Sequence, residues 1–132
     1  MDFSVKQTIN QPPRVFRVGH DRPIEISHVA DVSLESDEQI TFKTESGTEY
    51  DVVRKDWGYY ATPSTNGRLA AHNLNAALVV NTSGKLYVML VEQGSEKSFQ
   101  AYCDTRKQTL VTWLNTAAAV QKLLTLFDVS ID

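Results

Sequence analysis

Between Arg54 and Arg68 the chain sets Trp57, Tyr59 and Tyr60 among Lys55, Ser64, Asn66 and Arg68, with Pro63 and Gly67 bracketing a turn. Indole and phenol rings present flat amphipathic surfaces, and the ammonium, hydroxyl, amide and guanidinium groups supply hydrogen-bond donors. That mixture suits a small, flat, polar ligand. A saccharide stacks its apolar face on a ring and offers hydroxyls to Asn and Arg, while a nucleotide uses the same platform with a cation for its phosphate. The same residues also have an ordinary reading. Aromatic side chains are enriched in strands for packing alone, residues 63–67 read as a plain turn, and Arg68 can simply be solvated. In a regular strand Trp57 and Tyr59 face away from Tyr60, which would split the cluster.

Proton-transfer chemistry has fewer candidates. His20 and Asp21 precede Pro23 in an expected loop, where the carboxylate can orient the imidazole, and Lys55 is a further candidate. The other histidines, His28 and His72, share with His20 no helical or cysteine-paired spacing of a zinc site, so no metal is expected. His28 falls on the apolar face of a strand, where a hydrogen-bonded histidine is the commoner role. Ser64 lacks the glycine-flanked elbow of a hydrolase nucleophile, and Cys103 lies in an expected helix with no histidine near it in sequence. Glu49 and Asp51 share a parity on one strand, the pattern of a solvated strand face. No Walker loop, dinucleotide-binding glycine pattern or calcium loop occurs, so no cofactor is expected. The balance leans away from an enzyme.

The whole chain sets the limits within which such a site must be built. Its 132 residues, 42% hydrophobic and 22% charged, with 6 Gly and 4 Pro, are enough for one core, and a single domain over 1–132 is expected. The net charge of −3 gives no positive field to gather phosphates, and the basic residues are scattered, so nucleic acid is not an expected partner. One cysteine cannot form an internal disulfide, and the first residues lack the apolar stretch of a secretory signal; a cytoplasmic location is the expectation. The longest apolar run, residues 86–91, is far short of the ~20 residues a membrane-crossing helix needs.

Period-two alternation then predicts the scaffold. After an irregular start ending at Pro12 and Pro13, residues 24–34 alternate apolar and polar as a half-buried strand. Residues 39–44 and 49–55 follow, joined by a turn at Gly47. Residues 76–81 and 85–92 carry apolar side chains on consecutive positions, which marks central strands that need cover on both faces. A short helix is expected behind Ser95 as its cap, with Phe99, Tyr102, Cys103 and Arg106 at helical spacing. Residues 109–114 fit either a last strand or the start of a helix; strand is favoured. Asn115 or Thr116 would cap a terminal helix whose Val120, Leu123, Leu124 and Phe127 pack back on the sheet.

The expectation is therefore an α+β fold: a mainly antiparallel twisted sheet of roughly six or seven strands that can curl toward a barrel, with one or two helices in the last third. Three functional readings remain open. The first is a non-enzymatic binding or accessory module for a small polar ligand of saccharide or nucleotide type. The second is a structural or protein-interaction subunit, a homodimer that covers its excess apolar strand face by self-association. The third is a small enzyme using His20 with Asp21, or Lys55, in proton transfer.

Overall fold

Strands dominate the first two thirds because apolar residues recur there at every second position, and helices enter only where the period lengthens. The computed structural model describes residues 6–19, 21–60 and 64–131. Among these described residues eight strands form three small antiparallel sheets, none closed as a barrel, with three helices. The chain is α+β with its terminal helix late in the sequence, as the periodicity predicts. It differs in detail by dividing the strands among three sheets rather than extending one.

Two compact units are distinguishable, Met1–Ile40 with Val52–Ala61, and Thr41–Asp51 with Thr62–Asp132. In the first, β1 (Lys6–Val18) and β2 (Ile24–Ser33) make a two-stranded antiparallel ribbon. The expected irregular start is instead a strand, whose register shifts between Ile9 and Arg14, around the two prolines that cannot donate to the ladder. The register puts Phe16 opposite Ile26 and Ile9 opposite Ala30 on one apolar face. That face stays open, with Ile9, Phe16, Ile26 and Val32 all exposed. The sheet β3 (Gln39–Lys43), β4 (Glu49–Lys55) and β5 (Gly58–Tyr60), in that spatial order, draws residues from both units, Thr41–Asp51 being counted with the second. Gly47 turns the β3–β4 hairpin with a φ of 93°, a conformation that only glycine adopts without strain.

In the second unit the one-turn helix α1 (Arg68–Ala71) leads into β6 (Leu74–Val80), which lies between β7 (Leu86–Glu92) and β8 (Thr109–Trp113). Residues 109–113 are thus strand, the favoured alternative. The prediction of central strands apolar on both faces holds for β6. Leu74 and Ala76 pack with Leu69, Tyr50, Leu90 and Leu114 on one side. Ala77 and Val79 pack on the other with Cys103 and Phe99 of α2 (Glu96–Arg106), and with Trp113. Leu69 and Val79 are almost wholly buried, each contributing about 1.5–3 kcal/mol by leaving water. Ser95 makes no side-chain cap to α2; the Glu96 carboxylate accepts instead from the Gly94 N–H at 2.9 Å.

One stretch of this sheet lacks cover. Toward its other end, on the face carrying Leu74 and Ala76, Leu86 and Val88 are 64% and 57% exposed beside their partners Val80 and Leu78. The terminal helix α3 (Ala117–Leu126), capped by Thr116 through the Ala119 N–H, was expected to pack on the sheet. It buries no residue, and Leu126 and Phe127 are 71% and 73% exposed. Val120 and Leu124 are half-buried, so only one edge of its apolar stripe is engaged.

Candidate functional site

The residues proposed from sequence fall in both units. In the first, Trp57 stands in the turn before β5, and Tyr59 and Tyr60 follow on that strand, 68%, 62% and 48% exposed. The Arg54 guanidinium lies 5.5 Å from the Tyr59 ring centroid and donates to the Gly58 carbonyl at 2.9 Å, so it backs the aromatic strand. Lys55 is ion-paired with Asp37, whose hydrogen bond holds the ammonium above its ordinary pKa. His20 lies outside the described residues, so its pairing with Asp21 is not placed.

Ser64, Asn66 and Arg68 belong to the second unit. Ser64 and Arg68 are brought together, because the Ser64 hydroxyl accepts from the Arg68 backbone N–H at 2.8 Å and so starts α1. Asn66 is exposed in the preceding turn. The Arg68 side chain is engaged by β4: Nε donates to Asp51 Oδ2 at 2.9 Å, and one Nη lies 3.6 Å from Glu49 Oε2. Its other Nη donates to His72 Nε2 at 2.6 Å. Arginine has no acceptor, so that contact requires an unprotonated Nε2 and leaves the proton on Nδ1, which faces Glu49 Oε2 at 3.3 Å. Thr41 donates to Asp51 Oδ1 at 2.7 Å. This hydrogen bond and the Arg68 charge together outweigh the opposing effect of burial and hold the Asp51 carboxyl below its ordinary pKa.

Asp51 is therefore no solvated strand residue; it is 6% exposed and fully partnered. Sequence reasoning noted the shared parity of Glu49 and Asp51. It missed that Arg68 and His72, four residues apart, place a donor pair on one side of a helical turn.

Beside this network the second unit carries a groove of about 210 Å³. Leu74 and Leu90 form its floor, and the rings of Phe42 and Tyr50, with centroids 6.1 Å apart and planes 25° apart, form a wall. Glu92 lines it as well, its Oε2 accepting from Ser46 at 2.6 Å. The Ser46, Thr48 and Thr44 hydroxyls hold this carboxyl below its ordinary pKa, against the opposing pull of desolvation. Lys43 also lines the groove, but its Nζ lies 3.4 Å from Glu49 Oε1 and the side chain is largely solvated. Among the described residues no three His, Cys, Asp or Glu side chains gather as a metal site. No helix among them is long and apolar enough to cross a membrane. Comparisons of the chain with protein-family models, curated proteins and solved structures found no match.

Proposed function

We propose that this chain is a structural or protein-interaction subunit that associates with a second copy of itself. The observation carrying the reading is a matched pair of uncovered apolar surfaces within one unit, the open end of the β7–β6–β8 face at Leu86 and Val88 and the stripe at Leu123, Leu126 and Phe127. A helix is the usual cover for a sheet face, and here each copy has one of each unfilled. A two-fold exchange, α3 of one copy on the sheet of the other, satisfies both at once. With Val129 and Ile131, also open, these side chains expose on the order of 700 Å² per copy, taking a large apolar side chain at roughly 150–200 Å². That is near the ~800 Å² per partner of a standard interface.

Sedimentation velocity tests the reading. The wild type is expected to sediment as a dimer at micromolar concentration, and a Leu86→Ser, Phe127→Ser variant as a folded monomer. A wild-type monomer throughout that range, or a variant that stays dimeric, would overturn it.

A second reading, binding of a small saccharide or nucleotide, is favoured by the exposure of Trp57, Tyr59 and Tyr60 together. Titration with a mononucleotide and a disaccharide, followed by fluorescence in a Trp113→Phe background that leaves Trp57 as reporter, is expected to shift its emission. No shift with either counts against this reading.

A further inference from the structure

The groove beside Glu92 lies on the same sheet face as Leu86 and Val88, toward its Leu74 end, and its chemistry is specific enough to name an occupant. Its floor and wall are apolar, with Leu74 4% exposed and Phe42 54% exposed. Such a surface takes an apolar body, and the stacked ring pair favours a flat one. The charges at the rim decide the rest. Lys43 is compensated by Glu49, which also faces Arg68 and His72. Glu92 has only hydroxyl partners, and among the described residues it forms no ion pair. Hydroxyl donors stabilise a carboxylate without cancelling its charge, so the groove keeps a fixed anion beside an apolar floor. An anionic ligand would meet that charge at close range, while the cation on the lining, Lys43, is paired with Glu49.

We propose that this groove binds an organic ammonium ion with a flat apolar body, the ammonium donating to the Glu92 carboxylate and the body lying against Phe42, Tyr50 and Leu90. The exposed Phe42 face adds a cation–π contact for an ammonium at the mouth. The hydroxyls of Ser46, Thr48 and Thr44 act as positioning groups: by filling one side of the carboxylate they leave the remaining lone pairs for the ligand.

The test uses three probes of one shape on the full chain: 2-phenylethylammonium, 2-phenylethanol and phenylacetate. Binding is read from the methyl resonances of Leu74 and Leu90 in 1H–13C NMR spectra. The ammonium is expected to shift them saturably, the alcohol about ten-fold more weakly, and the anion least, because a hydrogen bond to a charged group carries about that factor. Glu92→Gln should bring the ammonium down to the affinity of the alcohol and leave the alcohol unchanged, which separates loss of charge from a disturbed turn. Equal binding of all three probes, preference for phenylacetate, or no saturable shift of either leucine would overturn the proposal.

Discussion

Replacing Asp51 with asparagine isolates the network that ties β4 to α1. The side chain keeps its size, but one of its two acceptor oxygens becomes a donor. If the amide oxygen stays on the Thr41 hydroxyl, 2.7 Å away in the wild type, the NH2 faces the Arg68 Nε–H, and donor meets donor. A hydrogen bond to a charged partner contributes about 1.5–3 kcal/mol. The Arg68 side chain is 45% exposed, so water competes and the lower part of that range applies, about 1.5–2 kcal/mol. For a chain of 132 residues this corresponds to roughly 5–7 °C in Tm. The pH dependence gives a second, independent sign. Asp51 has its carboxyl pKa lowered by folding, so its stabilisation is complete above the unfolded value of ~3.9 and is lost as pH falls through the folded one. Urea titrations of both proteins from pH 7 to pH 3 should show a gap that is flat at first and narrows in acid. Equal stabilities within ~0.5 kcal/mol at neutral pH, or a gap indifferent to acid, would refute the assignment.

Three further outcomes follow from single contacts. Asn115 accepts from the backbone N–H of Ala76, a fully buried residue, at 3.1 Å; Asn115→Ala should cost about 1–3 kcal/mol in urea denaturation and speed exchange of the Ala76 amide. Thr116→Ala removes the cap on the Ala119 N–H and should lose about 1 kcal/mol, read by circular dichroism at the helix band, whereas Thr116→Ser should retain it. Cys103 is fully buried on the face of α2 that packs against Ala77 and Val79, and burial followed by the Asp104 charge raises its thiol pKa; the folded protein at pH 8 should therefore ignore a disulfide reagent that reacts fully in urea.

How much of this was legible in the chain depended on whether local pattern or tertiary partners decided the matter. Period two set the strands of residues 24–33 and 39–43, and consecutive apolar residues marked β6 as central, because those signals belong to a strand's own two faces; the same pattern on β7 misled, since β7 is an edge strand in the order β7–β6–β8. Thr116 was readable as a cap for the same local reason. Pro12 and Pro13 pointed to irregularity, yet β1 runs past them through a register shift that its pairing with β2 accommodates. The distribution of strands among sheets, and the failure of α3 to bury Phe127, depend on where whole elements meet, which period does not encode.

The candidate site was legible in composition and not in arrangement. Trp57, Tyr59 and Tyr60 were found as a cluster and are all exposed, but Arg68, read as a donor for a ligand, is engaged by Asp51 and Glu49 across seventeen or more positions of sequence. Glu92 gave no signal at all, since its hydroxyl partner Ser46 lies 46 residues away.

Isotope-filtered nuclear Overhauser spectroscopy on an equimolar mix of 13C-labelled and unlabelled protein tests the self-association most directly. Cross-peaks between the Val88 methyls of one molecule and the Phe127 ring of another are the predicted result. A mixed sample whose Val88 methyls show no contact from an unlabelled molecule, at concentrations well above micromolar, would contradict it.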